Sequence, residues 1–585
     1  MIVRSIFTKP YAIPLLLFLI AFTLRTIALD KIPIGIVNDN MVFVLNAKAF
    51  FYTGHDVTGQ WNPFSLTPLP DEPAQAELPY IYLSPIIGPL PSSLFAAHIF
   101  YAIANSLFVV VLYLLVKKLL HEKIALIVGL IACFNPWAIF FGRSAFETSL
   151  AVFFYLLAFY VLVNTSGWKK LLTFIPLALG FYTYMAYKVT LIPYVAIISL
   201  FAWIQVDHRK YLKQYLTLFL LCLGITSLFL FNAYQRNTIN RLNEATFYSA
   251  SDVSNQVNFE RRMAIKNPFY VIFSNKAFVA TKYIIGKYIG AFSANNLFVD
   301  SERLLRFHIY NHGHFYYIDF IFLILGFCYL LARNRKLWIL LTSIILISPL
   351  PTIVSNEGIT YVMRSSLYIP FLYIYIGVGI WSILTIKKSK AYLMISSLLI
   401  GGIYVLLIGN FLYTYFFIQP VFASEAQAFS SRLMSRYIQL ANSENKKTSV
   451  LLGNPKNQFK NYIIYSNIYS RQTSEEVKNA FLRRNYRLKN VTFITCDELE
   501  TIEKNSIYIF DAGKKCTQFI NVKNTLSIVQ LSDSGAVYNI YQDSICSKFN
   551  LKPYVANLTF NDLAVEKLSP KNFCETFIIK YPDIK

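Results

Sequence analysis

The sequence predicts a polytopic α-helical membrane protein of about eleven spans with a C-terminal extracytoplasmic α/β domain. The 585 residues are 55% hydrophobic and 17% aromatic, and the mean hydropathy of +0.45 is far above that of soluble proteins of this size. Beyond residue 416 the apolar runs shorten and change period. We therefore expect residues 1–416 to form a transmembrane domain and residues 417–585 to form the α/β domain.

Apolar runs of about 17 to 25 residues are long enough to cross a bilayer as helices. In this chain they lie near residues 9–29, 92–116, 124–142, 146–165, 170–184, 188–206, 213–232, 317–332, 337–355, 367–386 and 392–416. A cleaved signal peptide is the alternative for the first run. Arg25 interrupts that run, however, and no clear small-residue cleavage site follows before Asp30, so we expect a span.

Basic clusters give the orientation, because Lys and Arg gather in the loops that stay on the cytoplasmic side. With about eleven spans, the clusters fall in every second connection: Arg4/Lys9, Lys117/Lys118/Lys123, Lys169/Lys170, His208/Arg209/Lys210, Arg333/Arg335/Lys336 and Lys387/Lys388/Lys390. The N-terminus is then cytoplasmic and the C-terminal domain extracytoplasmic. This topology explains most of the net charge of +23, so no nucleic-acid partner is expected.

The seven cysteines agree with this orientation. Three lie within predicted spans: Cys133, Cys222 and Cys328. Four lie in the tail: Cys496, Cys516, Cys546 and Cys574. An even set in an oxidising compartment indicates disulfides, and we expect the pairs nearest in sequence, Cys496–Cys516 and Cys546–Cys574. The alternatives are the two other connectivities and four reduced, buried thiols.

The first external loop carries one acidic residue at the start of an apolar, helix-like run. Pro33 and Gly35 end the preceding helix, and residues 41–53 read as a helix closed by Gly54. Asp39 is therefore at or near a helix N-cap, where backbone N–H groups and the helix dipole favour an ionised carboxylate. Ordinary capping is the alternative to catalysis for this residue.

Cations from other predicted external connections face the same side as Asp39. They are Arg143, Lys188, Arg303, Arg306 and Arg364. Further polar side chains there are candidates for support: Glu77, Glu147, Tyr184, Glu357 and His308. The alternatives are an i,i+4 salt bridge between Arg143 and Glu147 and an interfacial Lys188. His308, His312 and His314 are also spaced like metal ligands, and the metal requirement is left open.

Charges at the edge of a bilayer are costly, so their convergence on one side indicates function. A single carboxylate facing several cations suits transfer from a lipid-phosphate donor. The carboxylate orients or deprotonates an acceptor hydroxyl or amine, and the cations stabilise the departing phosphate. A polyprenyl carrier enters laterally from the lipid bilayer, and this chemistry needs no nucleotide cofactor.

The tail reads as a small α/β domain. Strands are expected at Thr448–Leu452, Tyr462–Tyr465, Val491–Thr495, Ser506–Phe510, Ser527–Leu531 and Ala536–Tyr541. Helices are expected near 424–443 and 474–484, the second opened by a capping box, Thr473-Ser474-Glu475-Glu476. The tail contains no Gly-rich phosphate loop or catalytic triad, so binding or support is the expected role.

A set of motifs over roughly residues 1–375 resembles bacterial GT-C glycosyltransferases, in the branch of the family 39 protein mannosyltransferases and family 83 aminoarabinose transferases. The motifs are LRTIALDKIPIGIVNDN, GHDVTGQWNP, LPYIYLSP, NPWAIFFGRSAFETSLAVFF, YTYMAYKVTLIPY, FSANNLFVDSERLLRFH, HGHFYYIDFIFLILGF and MRSSLYIP. The resemblance implies a bacterial inner (plasma) membrane enzyme that moves a sugar from a polyprenyl-phosphate donor to a glycan, lipid or protein acceptor.

The resemblance also implies that Asp39 is the catalytic Asp of the first loop and that Arg143, Lys188 and Arg364 line the donor-phosphate site. Two positions depart from the family pattern. The usual Asp-Glu pair reads Asp39-Asn40, and Glu77 stands where relatives place a Lys. A transporter or flippase for lipid-linked sugars is the main alternative, but the chain shows no clear internal repeat. An O-antigen-type ligase or polymerase is the nearer one, and the first-loop Asp argues against it.

Overall fold

The structure is a computed structural model, and it describes residues 11–59, 75–76, 78–235, 247–302, 304–355, 362–387, 389–513, 516, 525–533, 535–553, 555 and 558–580. Its first half is helical. The α-helices before the C-terminal domain are α1 Ala12–Thr26, α2 Asn38–Thr53, α3 Pro79–Ile87, α4 Leu94–Leu119, α5 Glu122–Phe134, α6 Pro136–Arg143, α7 Glu147–Asn164, α8 Phe174–Thr183, α9 Leu191–Phe201, α10 Leu212–Gln235, α11 Ala250–Met263, α12 Tyr270–Phe273, α13 Lys276–Gly290, α14 Tyr317–Arg333, α15 Arg335–Ile347, α16 Leu350–Ile353, α17 Val362–Ser365, α18 Ile369–Leu384, α19 Lys390–Tyr413 and α20 Gln419–Phe422.

Several of these helices match the predicted membrane spans. Within the described residues, six helical stretches are long and apolar enough to cross a membrane: Leu94–Leu119, Glu147–Asn164, Leu212–Gln235, Arg335–Ile353, Val362–Leu384 and Lys390–Phe422. A seventh span is the pair α5–α6, bent by 54°, if the two are counted together. Two shorter apolar helices, Ala12–Thr26 and Leu191–Val206, coincide with further predicted runs. The chain is thus an integral membrane protein, and the total of eleven spans stays a prediction.

The helices pack closely where small residues permit it. Gly326 of α14 faces Tyr375 of α18, and a Cβ built at Gly326 would lie 1.8 Å from the Tyr375 carbonyl oxygen. On the opposite side of this contact, a Cβ at Gly379 would lie 1.9 Å from the Phe322 carbonyl oxygen. Without side chains at these positions the two backbones can touch, which is how membrane helices associate without a hydrophobic driving force.

The C-terminal domain is built on one seven-stranded sheet. Its strands are β1 Lys447–Leu451, β2 Tyr486–Leu488, β3 Val491–Ile494, β4 Ser506–Asp511, β5 Leu526–Val529, β6 Ala536–Tyr541 and β7 Ile578–Lys580, in the order β2-β3-β1-β4-β6-β5-β7. Strand β1 runs parallel to β3 and β4, with Val450 opposite Phe493 on one side and Ile509 on the other. The domain's helices are α21 Phe429–Ser443, α22 Pro455–Tyr465, α23 Ser474–Arg483 and α24 Pro570–Phe577. The predicted class, a helical membrane protein with a C-terminal α/β domain, is therefore confirmed.

Two local predictions in this domain are wrong. The segment Tyr462–Tyr465, expected as a strand, is the end of helix α22. That helix starts at Pro455 behind an Asn454 cap, and this start signal outweighs the short β-like run. The expected capping box at Thr473 does not form, because the Thr473 hydroxyl donates to the carbonyl of Ile468 instead.

Two disulfides close loops of the domain. Cys496 is bonded to Cys516, with Cα atoms 5.6 Å apart, and Cys546 to Cys574, with Cα atoms 5.3 Å apart. These are the pairs nearest in sequence. Cys133 and Cys222 are free and buried, and Cys328 is free and exposed.

Candidate active site

Asp39 lies in the first turn of helix α2, on the surface. The N-cap is Val37, in an extended conformation and with no side-chain cap, so Asp39 is inside the helix rather than its cap. Its side chain is 68% exposed. The helix ends at Gly54 with a left-handed φ of 71°, as the sequence predicts. The carboxylate is thus presented to solvent at the positive end of a helix.

The backbone leading to Asp39 is held by the C-terminal domain. The Ile34 N–H donates to Oε1 of Gln427 at 2.9 Å, and the Ile36 N–H donates to the Tyr465 hydroxyl at 2.9 Å. Arg432 donates from Nη1 to the Ile34 carbonyl at 2.8 Å. We call this run, residues 34–36, the clamped run. It fixes the chain three residues before the exposed carboxylate.

Gly35 lies at the centre of the clamped run. A Cβ built there would lie 1.9 Å from the Gln427 carbonyl oxygen, so only glycine fits this approach of two backbones. Helix α22 also packs against helix α2. The tail that the sequence predicts as a support is therefore in direct contact with the element that carries Asp39.

Arg306 pairs with Asp39 across 267 residues of sequence. Its Nη1 is 3.4 Å from Oδ2 of Asp39, and its side chain is 34% exposed. The guanidinium also lies 5.0 Å from the ring centre of Phe307. Phe307 is buried against Phe141 and Phe146, so it anchors the turn that carries Arg306. An exposed pair of this kind is weak enough for a ligand to replace.

Glu302 is a buried acid close to Arg306, and no sequence motif singles it out. Its Oε1 accepts from the Met363 N–H at 3.3 Å, while among the described residues its Oε2 has no hydrogen-bond partner. Burial raises the pKa of Glu302 well above its ordinary value, against the opposing effects of the Met363 N–H, Arg364 and Arg306. Burial therefore favours the protonated form of Glu302, which is close to two of the predicted cations. The sequence feature that could have indicated Glu302 is its position in the motif FSANNLFVDSERLLRFH, between Asp300 and the arginines that follow.

Arg364 is near a buried cation, Lys287. The Lys287 ammonium donates to the Ser355 carbonyl at 2.5 Å and to the Phe247 carbonyl at 3.3 Å. Burial, with a smaller contribution from the Arg364 charge, lowers the pKa of Lys287 to about 8. Arg364 and Arg306 both act on Glu302, and Arg306 pairs with Asp39, so the positive charge near this pair suits an anionic ligand.

His308 supports the loop rather than joining the charged group. Its Nδ1 lies 2.8 Å from the backbone carbonyl oxygen of Glu302, and its Nε2 lies 3.7 Å from Oδ1 of Asp300. In the described part of the chain no group of three or more His, Cys, Asp or Glu side chains is arranged to hold a metal ion. The histidines spaced like metal ligands therefore do not converge. His312, for example, contacts Asn410 at 3.1 Å.

The structure gives two of the predicted phosphate ligands other partners. Arg143 is fully buried and donates to the carbonyls of Leu24 at 3.0 Å and Ile32 at 2.8 Å. Its terminal nitrogens thus face backbone rather than Glu147. The Lys188 ammonium is buried, donates to the Phe181 carbonyl at 3.0 Å and lies 4.3 Å from the ring centre of Phe229.

The supporting candidates lie in two places. Glu147 is in the first turn of α7, where its charge acts on Tyr82 and Tyr101. Tyr184 is buried with its ring 5.1 Å from that of Tyr187. Three further candidates, Glu77, Arg303 and Glu357, lie outside the described residues.

Comparison with known proteins found solved structures with a similar course of the chain. The crystal structure of ArnT from Cupriavidus metallidurans in the apo state matches over 90% of this chain and 97% of its own, with 11% identity and a TM-score of 0.49. The same protein bound to undecaprenyl phosphate matches over 91% and 98%, with 9% identity and a TM-score of 0.48. The archaeal oligosaccharyltransferase AglB from Archaeoglobus fulgidus, in complex with an inhibitory peptide and a dolichol-phosphate, matches over 95% and 77%, with 10% identity and a TM-score of 0.41.

No family model and no curated protein matches the chain. The sequence motifs of the chain resemble those of GT-C glycosyltransferases, and the solved structures that it matches include ArnT and an oligosaccharyltransferase. At these TM-scores the likeness carries no argument for a reaction, which has to be inferred from the residues of this site.

Proposed function

We propose that the protein is a membrane glycosyltransferase that moves a sugar from a polyprenyl-phosphate donor to an acceptor hydroxyl or amine. The observation that carries this proposal is the exposed Asp39 carboxylate in the first turn of α2, in contact with Arg306. The buried acid Glu302 is close to both Arg306 and Arg364. A base that is open to an acceptor therefore adjoins a positively charged surface that is open to a phosphate.

The proposed reaction uses the two members of the exposed pair for different tasks. The acceptor oxygen or nitrogen attacks the anomeric carbon, its proton passes to Asp39, and the bond between that carbon and the donor phosphate oxygen breaks. The electron pair of the broken bond leaves with the polyprenyl phosphate. Arg306 exchanges its contact with Asp39 for the phosphate oxygens, and Arg364 adds a second positive charge.

The other candidates receive supporting tasks in this proposal. Arg143 and Lys188 hold buried backbone carbonyls, so we assign them to the scaffold rather than to the phosphate. His308 orients the loop that carries Arg306. Glu147 and Tyr184 shape the neighbouring helix ends. Arg303, Glu77 and Glu357 belong to the same external connections and remain proposed contacts of donor or acceptor.

We place this site on the extracytoplasmic side of a bacterial inner membrane, with the N-terminus in the cytoplasm. The alternating basic clusters of the sequence support this orientation. The two disulfides in the C-terminal domain support it as well, because such bonds persist in oxidising compartments. The acceptor is a glycan, a lipid or a protein that reaches the outer face.

The test is transfer by the purified protein in proteoliposomes, with a panel of radiolabelled polyprenyl-phosphate sugars and cell-envelope acceptors. Asp39→Asn should lower transfer about 10²- to 10⁴-fold, the range for loss of a general base, without changing the folded state. Asp30→Asn is the matched control, since Asp30 lies in the same loop and pairs with Lys567 on the surface. Full transfer by Asp39→Asn would overturn the proposal. Label that crosses the bilayer without reaching an acceptor would point to a transporter instead.

A further inference from the structure

The external connection between α10 and α14 contains a helical hairpin, residues 250–290. Helices α11 and α13 pack against each other through a small apolar cluster of Val253, Val257, Val279 and Ala280. We call residues 263–273, between the two helices, the tip. The tip is tied back to the helices, because Arg261 donates from Nε to the Ser274 carbonyl at 2.8 Å and Asn275 donates to the Val271 carbonyl at 2.9 Å.

The tip exposes an apolar surface. Six of its side chains are between 53% and 89% exposed: Met263, Ile265, Phe269, Val271, Ile272 and Phe273. A soluble surface rarely carries so many adjacent large apolar side chains, because water in contact with them is unfavourable. The patch therefore calls for an apolar partner.

Basic residues lie before, within and after this apolar run of the chain, and we call them the collar. From residue 261 to residue 276 the chain has four cations, Arg261, Arg262, Lys266 and Lys276, and no Asp or Glu. Aromatic and aliphatic side chains interspersed with Lys and Arg are typical of elements that lie at a phospholipid surface. The positive charge of the collar complements lipid phosphates. A phospholipid surface therefore fits the patch better than a purely apolar partner does.

Helix α13 continues the apolar surface toward the membrane helices. Phe278, Ile285 and Ile289 are exposed, and their spacing of seven and four residues places them on one side of the helix. At the far end of α13 the Tyr288 hydroxyl donates to the Leu346 carbonyl of helix α15 at 3.0 Å. Because α15 belongs to the candidate span Arg335–Ile353, the hairpin is attached at the end of a membrane helix.

We propose that this hairpin lies on the outer leaflet of the bilayer, with its tip inserted among the acyl chains and its basic collar on the phosphate headgroups. The occupant of the exposed patch is thus the lipid surface itself. This contact is separate from the candidate spans and does not depend on the proposed reaction. It would hold the segment from Ala291 onward, which leads to Glu302 and Arg306, at the level of the membrane surface.

The experiment measures contact between the tip and lipid chains in the full-length protein. Cys328 is replaced by Ala to remove the exposed thiol, and Ile272→Cys is labelled with a bimane fluorophore. The protein is reconstituted singly into nanodiscs of phosphatidylethanolamine and phosphatidylglycerol with brominated acyl chains. We expect a loss of fluorescence close to that of Ile321→Cys, an exposed position of helix α14 in the predicted span 317–332, and several-fold larger than that of Leu482→Cys.

Leu482 is the matched control, because it is an exposed apolar residue of the C-terminal domain, 48% exposed against 58% for Ile272. Quenching at Ile272 no greater than at Leu482 would overturn the proposal. Protection of Ile272 only when two copies share a nanodisc would show that a second copy covers the tip. The double variant Arg262→Gln, Lys266→Gln should reduce quenching in discs with phosphatidylglycerol, and unchanged quenching would remove the headgroup contact from the proposal.

Discussion

The clamped run and Asp39 are three residues apart in the first loop, and their surroundings are opposite. Ile34 and Ile36 are 0% and 1% exposed and donate or accept buried hydrogen bonds, whereas the Asp39 side chain is 68% exposed. A reactive side chain is positioned most precisely when its backbone is held in place and its functional group is open to a ligand. On the proposed role of Asp39, the contrast indicates that its position is set by hydrogen bonds from the C-terminal domain to residues 34–36 rather than by contacts of the carboxylate itself.

Arg432 is the centre of the clamp. Its guanidinium is fully buried, bonds both carboxylate oxygens of Glu566 and reaches the Ile34 carbonyl. Burial alone would raise the pKa of Glu566. The Arg432 charge outweighs this effect and holds the pKa of Glu566 below its ordinary value. The pair is thus charged on both sides, and the removal of either partner leaves an uncompensated charge.

Arg432→Ala should have the largest effect on stability. It leaves Glu566 without its partner and frees the Ile34 carbonyl. The expected loss is about 3 kcal/mol of unfolding free energy, at the low end for a broken buried pair because the Glu566 side chain is 38% exposed. Thermal unfolding in detergent measures it. Arg436→Ala is the control, since Arg436 lies one turn later on the same helix and donates to Leu568 instead. An equal loss in both variants would contradict a special role for the clamp.

The clamp marks the limit of what the sequence predicts. Apolar period predicts the membrane helices, and turn residues predict helix α2 with its end at Gly54 and Asp39 near its start. Strand composition predicts the α/β tail. All three are local properties of the sequence. The hydrogen bonds to Ile34 and Ile36 join residues 393 to 429 positions apart. Local patterns contain no signal for such partners, so the tail reads only as a support.

The absence of long-range information in local patterns also explains why the sequence did not separate the site residues from buried ones. Arg143 and Arg306 look alike in the sequence as external arginines near aromatic motifs. In the structure Arg143 is buried and donates to the carbonyl of Leu24 in α1 and to that of Ile32 after it, whereas Arg306 meets a carboxylate at the surface. Nothing local marks Glu302, because an acid in a basic, loop-like run is usually solvated and only tertiary packing buries this one. Burial separates scaffold from site here, and burial is a long-range property.

Tyr465→Phe should have the second largest effect. It removes the acceptor of the Ile36 N–H and leaves that buried group unpaired, which costs about 2 kcal/mol. If the clamp positions Asp39, the variant should also lower kcat for transfer while KM for the lipid donor stays unchanged. Tyr462→Phe is the matched control, because the Tyr462 hydroxyl on the same helix accepts from Asn442 and does not touch the first loop. The same fall in kcat in both variants would mean a general structural effect.

Glu302→Gln tests whether the buried acid makes the unfolding free energy depend on pH. Because the folded pKa of Glu302 is raised, the folded state holds a proton that the unfolded state has lost above its ordinary pKa of about 4.5. Stability from this group is fully present below that value and falls as pH rises, by up to about 1.4 kcal/mol per unit. Glutamine does not titrate, so the variant should flatten the decline in unfolding free energy between pH 6 and pH 7. A wild-type slope in the variant would show that Glu302 is already ionised.

Arg306→Ala should have the smallest effect on stability and so sharpens the contrast with Arg432. Its pair with Asp39 is partly exposed, and exposed ion pairs contribute about 0 to 1 kcal/mol. The proposed phosphate contact is different, because it forms only when the donor binds. The variant should therefore raise KM for the lipid donor about 10-fold, the value of one charge-assisted hydrogen bond of roughly 1.4 kcal/mol. Arg306→Lys should recover part of this loss, since it keeps the charge without the fork of two donors. A large loss of stability with an unchanged KM would instead place Arg306 with the clamp, as a structural arginine, and leave the donor phosphate to Arg364.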